Sequence, residues 1–261
     1  MANVLIVTGG ASGIGAATAR LAAARGYAVA VNYRTRENEA TRLVEELQAS
    51  GARAIAVPCD CRSAIEVGHL FATVDHELGP VTALVNSAGI SLGPMRVADA
   101  VPLELENLLT TNVLGVMLCC REAVRRMSNQ RGGRGGVIIN VSSMAATVGG
   151  RAGSSHYAAS KAAVDGFTLG LAREVADQGI RAVSVRPGFT ETGMTRRFSR
   201  DPARLQQIAQ SIPLRRVARV EEIAKPIVWL LSEEASFISG TCIDVSGGGF
   251  IIADGPPSSH E

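Results

Sequence analysis

The segment His156-Tyr157-Ala158-Ala159-Ser160-Lys161 holds the two side chains best suited to moving a proton. Tyr157 and Lys161 stand four positions apart, so on a helix they lie on one face, one turn apart. A free phenol has a pKa of about 10, which is poor for proton exchange near neutrality. A neighbouring ammonium favours the phenolate and lowers that value. Tyr157 could then give a proton to a carbonyl oxygen or accept one from an alcohol. Such pairs are also common on solvated helix faces, so the chemistry depends on what the chain places beside this one.

Near the N-terminus an apolar run leads into Thr8-Gly9-Gly10-Ala11-Ser12-Gly13-Ile14-Gly15. The spacing G-x3-G-x-G is a variant of the dinucleotide fingerprint, in which glycines let the backbone turn and approach a pyrophosphate at a helix N-terminus. Gly9, Ala11, Ser12, Gly13, Ile14 and Gly15 are the expected cradle. The end of the second strand should meet the adenosine ribose, where an acid would select a free 2′-hydroxyl. This chain has Asn32-Tyr33-Arg34, with no acid and one guanidinium suited to phosphate. That favours NADP(H) over NAD(H), with Tyr33 and Arg34 at the ribose, although Arg34 also reads as a solvated charge at a strand end. Asp60 is expected to accept the adenine amino group, to cap the helix starting near Ser63, or both.

These groups need a scaffold that brings strand ends together. Short, nearly continuous apolar runs predict strands at Asn3–Thr8, Ala28–Tyr33, Ala52–Pro58, Ala83–Asn86, Val137–Val141, Ala182–Arg186 and Cys242–Val245. Helices are predicted at Gly13–Arg25, Arg36–Ala49, Ser63–Leu78, Leu103–Met127, His156–Gln178 and Val220–Ser232. Alternation of this kind predicts a single-domain α/β, Rossmann-like fold: a doubly wound parallel sheet of about seven strands with helices on both faces. One domain is expected over residues 1–261, with a core of about 3–249 and a tail over 250–261. Arg131–Gly136 (RGGRGG) could resemble an RNA-binding tract, but a single copy between helix and strand is more simply a helix stop and turn.

Composition narrows the function classes. Hydrophobic residues make up 46% of the chain and charged residues 19%, a globular balance. The formal charge of +2 is too small to argue for nucleic acid or an anionic membrane as partner. Cys59, Cys61, Cys119, Cys120 and Cys242 lack C-x2-C spacing, so no metal site is expected and a reducing, cytoplasmic setting is. No basic segment precedes the first apolar run, which therefore reads as a strand and not as a signal peptide. Nor does any apolar stretch approach ~20 residues without a charge or breaker, so no membrane span is expected.

Taken in order, TGGASGIG (Thr8–Gly15), NSAG (Asn86–Gly89), Asn112 in TTNVLG, INVSS ahead of YAASK, and RPG (Arg186–Gly188) followed by Thr192 resemble the short-chain dehydrogenase/reductase family. The resemblance is to its cytosolic kind with a Tyr-x3-Lys active site, and it runs from Asn3 to about Gly249. It implies an enzyme that transfers hydride between a nicotinamide and a carbonyl or secondary alcohol. It also implies a catalytic set of Asn112, Ser143, Tyr157 and Lys161. Ser143 would hold the substrate oxygen, and Lys161 would bind the ribose and keep Tyr157 acidic. Asn112 would hold a water that relays protons from Lys161. Cofactor contacts are implied further at Asp60 and Cys61, at Asn86, Ala88 and Gly89, and at Pro187, Gly188, Thr190 and Thr192.

Two positions depart from the family pattern. Ser87 stands where a second asparagine is common, and Ser12 stands where NADP-preferring members often carry a basic residue. The gap of fourteen positions from Ser143 to Tyr157 is also at the long end for the family. A 3-oxoacyl-thioester reductase and a sugar- or polyol-type dehydrogenase both fit, and a dinucleotide-sensing protein without chemistry is the alternative from another class. The arginine-rich stretch Arg121–Arg134 could dock an acidic carrier protein, though solvated charge explains it more simply. The arginines of a substrate lid over Gly193–Pro213 (Arg196, Arg197, Arg200 and Arg204) read as a solvated face or as a site for an anionic substrate. By the same resemblance a homotetramer, or a homodimer, is expected through the helices Leu103–Met127 and His156–Gln178.

Overall fold

The apolar runs form seven strands, β1 (Val4–Thr8), β2 (Ala28–Tyr33), β3 (Ala54–Pro58), β4 (Ala83–Asn86), β5 (Gly136–Val141), β6 (Ile180–Pro187) and β7 (Thr241–Val245). All pair in parallel in the order β3-β2-β1-β4-β5-β6-β7. The structure is a computed structural model, which describes residues 3–195 and 201–249. Arg196, Arg197, Arg200 and the expected tail lie outside the described residues.

Helices cover both faces, as strands buried on both sides require. Helices α1 (Gly13–Ala23), α2 (Glu37–Ala49) and α9 (Val220–Leu230) pack on one face, with Leu5, Val7, Val29, Leu43, Ile223 and Ile227 in one apolar layer. Helices α3 (Ala64–Glu77), α5 (Gly115–Met127) and α7 (Ser155–Val175) pack on the other, over Ile6, Leu70, Phe71, Val74, Met127 and Val175. Alanines at 16, 17, 19, 22 and 23 of α1 are buried, and their small side chains let that helix lie close to the sheet and to α9.

The run expected as one helix over Leu103–Met127 is three pieces. Helix α4 (Pro102–Leu109) passes into a π turn (Thr110–Leu114) and then into α5. Single π turns of this kind are frequent at functional sites. Pro102–Met127 is long and apolar enough to cross a membrane by length and composition alone. Here its inner face packs on α3, β4 and β5. A short helix absent from the sequence reading, α6 (Ala145–Val148), follows β5, and α8 (Pro202–Gln210) precedes α9. RGGRGG is a stop and turn: a Cβ on Gly133 would lie 2.3 Å from the Arg126 carbonyl.

Strand order reverses on the two sides of β1, which pairs with β2 and with β4. The crevice above that switch point, at the carboxyl ends of the strands, is where such sheets place ligands. The glycine loop after β1, NSAG at the end of β4, the serine turn after β5 and RPG at the end of β6 all come to that edge.

Candidate active site

The glycine loop follows β1 and is fastened from below. Gly9 has φ +61°, and a Cβ there would sit 2.8 Å from the Ala88 Cα, so only glycine fits. The Gly9 N–H donates to Asn32 Oδ1 (3.2 Å) and the Gly10 N–H to the Asn32 carbonyl (2.9 Å). The Asn32 amide in turn donates to the carbonyls of Val57 (3.3 Å) and Cys59 (3.1 Å). One buried side chain thus ties the ends of β1, β2 and β3. On the other side, Thr8 Oγ1 accepts from the N–H groups of Ser87 (3.1 Å) and Ala88 (3.2 Å), which orders the NSAG turn. Sequence reasoning passed over Asn32 as a functional residue. A lone amide in an apolar strand of both-sides-buried type was the available signal, because a buried amide must find partners.

Above the loop, Ser12 precedes α1 in extended conformation, without a side-chain cap, and the first turn of α1 carries no acid. Its N-terminal N–H groups and dipole therefore face the crevice, as an anion needs. A Cβ on Gly15 would meet the Gly9 carbonyl at 2.5 Å, and one on Gly13 would approach Thr192 Cγ2 at 3.6 Å. Glycine at all three positions keeps a slot between loop and Thr192 that side chains would fill. These residues fit a dinucleotide.

At the adenosine end, Arg34 is half-exposed, with Nη1 3.9 Å from Asp60 Oδ2. Asp60 does not cap α3. Ser63 does, its Oγ accepting from the Glu66 N–H (3.3 Å), while the Asp60 carboxylate is held by the Arg62 guanidinium (3.0 Å to each oxygen from Nε). That contact, chiefly, draws the Asp60 pKa below the usual carboxylate range. The Cys61 thiol turns inward to Asn32 Oδ1 (3.7 Å), leaving its backbone for any contact with a cofactor. Asn86 likewise turns its amide under the sheet to Asn140 Oδ1 (2.8 Å), leaving its backbone alone at the crevice edge.

The catalytic group expected from sequence does converge. Tyr157 and Lys161 lie on one face of α7, with Lys161 Nζ 6.0 Å from the phenol ring centroid. The Ser143 hydroxyl, presented by the turn after β5, accepts from the Ala145 N–H (3.1 Å) and stands close enough to the phenol to favour its ionised form. Ser142, its neighbour, points inward and donates to the Lys161 carbonyl (3.0 Å), which separates the roles of the two serines. Lys161 Nζ donates to the Val141 carbonyl (2.8 Å), and the residue as a whole is 5% exposed.

The electrostatics differ from the sequence expectation. Burial raises the Tyr157 pKa above that of a free phenol, and the Ser143 contact only partly opposes it. Burial also lowers Lys161, to about 8, against the pull of Asp165. In the cofactor-free chain the phenol is therefore the proton-bearing form at neutrality.

Asn112 is fully buried in the π turn. Its amide donates to the Ile90 carbonyl (2.9 Å) and to Ser160 Oγ (3.1 Å), and its Oδ1 accepts from the Ile90 N–H (2.8 Å). The side chain clamps the NSAG loop to α7. A Cβ on Gly89 would lie 3.3 Å from Asn112 Oδ1 and 3.5 Å from Lys161 Nζ, so this glycine keeps the approach to both open. Beyond β6, Thr190 Oγ1 donates to the Gly188 carbonyl (3.0 Å), and Thr195 Oγ1 bridges the Thr190 carbonyl (2.7 Å) and the Thr192 N–H (2.9 Å). Pro187 accepts from the Met144 N–H (3.0 Å), linking this clasp to the serine turn. Asp165, also missed from sequence, holds Arg186 Nε (2.7 Å) and so fixes α7 against the strand that enters the clasp.

The family model described as enoyl-(acyl carrier protein) reductase matches residues 9–249. The chain is 43% identical over 245 residues to an uncharacterized oxidoreductase, YgfF, of Escherichia coli K12, covering 94% of this chain and 99% of that one. It is 37% identical over 250 residues to the 3-oxoacyl-[acyl-carrier-protein] reductase FabG of Staphylococcus aureus, covering 95% and 98%. A blue fluorescent protein from a metagenomic library, solved in complex with NADPH, superposes with a TM-score of 0.85 at 35% identity, covering 94% and 97%. The chain belongs to the short-chain dehydrogenase/reductase family and is an oxidoreductase that acts on CH–OH or C=O groups with a nicotinamide cofactor.

Proposed function

We propose that this enzyme interconverts a small-molecule carbonyl and its secondary alcohol with NADP(H), using Tyr157 as general acid and base. The observation that carries the reading is Lys161 Nζ 6.0 Å from the Tyr157 ring, with the Ser143 hydroxyl beside the phenol and a crevice shaped for a dinucleotide next to both. When bound, the nicotinamide supplies or accepts the hydride. Ser143 holds the substrate oxygen against the phenol, and Tyr157 delivers its proton to that oxygen. Lys161 holds the cofactor ribose and places positive charge beside the phenol. The backbone of Ala88, Gly89, Pro187, Gly188 and Thr190, with the Thr192 hydroxyl, holds the nicotinamide end. Asp60 takes the adenine. An intact acid–base group argues against a dinucleotide sensor without chemistry. The similarity to FabG favours a 3-oxoacyl-thioester reductase as the second reading.

Two guanidiniums support NADP(H) over NAD(H). Arg34 ends β2, and Arg36 Nη2 lies 3.8 Å from where a Gly193 Cβ would be, with no carboxylate paired to it among the described residues. Titration with both cofactors tests this. NADPH is expected to bind at least about tenfold tighter than NADH, and Arg34→Glu to erase that margin through lost charge-assisted bonds. An NADH preference in the wild-type chain would sink the assignment. Turnover is then read as loss of reduced cofactor across β-keto thioesters, diketones, quinones and sugars.

Free thiols at all five cysteines support a reducing, cytoplasmic setting. Helix α7 turns Ala159, Ala162, Ala163, Gly166 and Gly170 outward, and Leu109, Leu114 and Met117 are exposed beside it. These small and apolar surfaces support a homotetramer, or a homodimer, built across α5 and α7. Light scattering should find a mass well above that of one chain, and a stable monomer at micromolar concentration would refute the assembly.

A further inference from the structure

The inner face of α7 carries two charges where apolar packing would serve. Ser160, Lys161, Val164, Asp165 and Thr168 share the buried stripe of that helix, with Lys161 and Asp165 equally hidden from solvent. Taking a charge out of water is costly, and well-packed apolar residues often hold two elements together as firmly. On its far side Asp165 is held by two donors from β6. Ser184 Oγ donates to Oδ1 (2.6 Å) and Arg186 Nε to Oδ2 (2.7 Å). Arg186 reaches on to the half-exposed Asp244 of β7, Nη1 to Oδ1, at 3.4 Å. Charges of alternating sign therefore run from α7 to the last strand of the sheet.

The spacing extends the acid–base pair by one member. Tyr157, Lys161 and Asp165 stand at i, i+4 and i+8 of one helix, so phenol, ammonium and carboxylate follow one another a turn apart. The surroundings of the ammonium are otherwise uncharged. Tyr157 and Asp165 face it from its own helix, the Val141 carbonyl from β5, and Gly89 from the NSAG loop beside Asn112 of the π turn. Around the carboxylate stand Ser184 and Arg186 of β6, and Cys242 of β7, whose thiol burial keeps protonated. Asp165 is thus the negative charge that the ammonium feels, and its pull opposes the effect of burial on Lys161. In a water-poor interior such a pull is strong.

We propose that Asp165 is a positioning residue for the acid–base pair: its carboxylate keeps Lys161 in the ammonium form, and Arg186 tempers that hold by sharing the carboxylate. Asp165 touches neither substrate nor cofactor in this assignment and acts through Lys161 alone. With it in place Lys161 titrates at about 8, so the ammonium prevails at neutrality. Without it, burial acts unopposed and takes the proton away where the enzyme works. The cation beside the phenol and the hold on the ribose would go together. This inference rests on the reductase reading above and adds the group that keeps its lysine charged.

The sequence makes a direct test practical, because lysine occurs only at positions 161 and 225. Lysine labelled with ¹³C at Cε gives two signals in the whole, cofactor-free enzyme, and Lys225→Arg assigns them. The titration midpoint of the Lys161 signal is then read in each variant. Asp165→Asn keeps the shape of the side chain and an acceptor for Arg186, and should lower the midpoint by about half a pH unit or more. Arg186→Gln leaves the carboxylate unshared and should raise it. A purely structural pair would not give shifts of opposite sign. An unmoved or raised midpoint in folded Asp165→Asn would overturn the proposal. So would an unmoved or lowered one in Arg186→Gln, which still decides the matter if the Asn variant fails to fold. NADPH dissociation constants measured over the same pH range should weaken as Lys161 loses its proton, and in Asp165→Asn that weakening should begin at lower pH. A lysine signal that moves as expected while NADPH binding ignores it would leave Asp165 in its role and count against Lys161 at the ribose.

Discussion

Tyr157→Phe is expected to lower turnover by about 10²–10⁴-fold while NADPH still binds, because it removes one proton donor and nothing that touches the nucleotide phosphates. The phenol is half-buried, with the Ser143 hydroxyl beside it. Losing one half-buried hydroxyl costs at most about 1 kcal/mol of stability, small for a chain of this size, so the variant should fold. The same geometry sets opposite pH trends for the two directions. Burial favours the protonated phenol, which is the form that carbonyl reduction uses, so reduction should hold through neutrality and fall as the phenol ionises. Alcohol oxidation starts from the phenolate and should gain as pH rises. Paired initial-rate profiles in both directions would check this. Undiminished turnover in the Phe variant would remove Tyr157 from the chemistry.

Lys161→Met is expected to abolish most activity, by about a hundredfold or more, without destabilising the fold at neutral pH. Two proposed functions vanish with the ammonium: the hold on the ribose and the positive charge beside the phenol. Stability moves the other way. Burial lowers the Lys161 pKa from 10.5 to about 8, so between these values the unfolded chain binds the proton that the folded chain has released. Folding therefore gains stability as pH rises through that window, and below it the buried ammonium is a standing penalty. Methionine fills similar space without the charge, against the smaller cost of an unbonded Val141 carbonyl. Melting curves from pH 7 to 10 should place the variant at or above the wild type at pH 7, with the difference narrowing upward. A drop of several degrees at pH 7 would show the ammonium to be net stabilising.

Most of the scaffold was legible because its signals are local. Continuous apolar runs located all seven strands to within two residues at either end, and the glycine loop marked the first strand–helix junction. The π turn was not legible, since Thr110–Leu114 carries no glycine or proline and continues the helical apolar pattern on both sides. At the site, residue types and spacing singled out Ser143, Tyr157 and Lys161, which the fold places beside one another. What sequence could not supply was the direction in which neighbours turn. Cys61 and Asn86 adjoin the crevice in the chain but face inward, and Ser63 takes the capping role that Asp60 could have filled. The rise in the phenol pKa is of the same kind, because it comes from burial by elements distant in sequence, which Ser143 only partly opposes.

The Asn32 amide has one further consequence. Because Gly9 and Gly10 are held by the strand beneath them, the phosphate-binding backbone already has its shape before any ligand arrives. Binding then need not freeze that segment, and little conformational entropy is lost there, so contact energy appears as affinity. Exchanging Asn32 for an apolar residue of similar volume would leave every phosphate-contacting atom in the chain and still weaken the grip, by returning the loop to an ensemble.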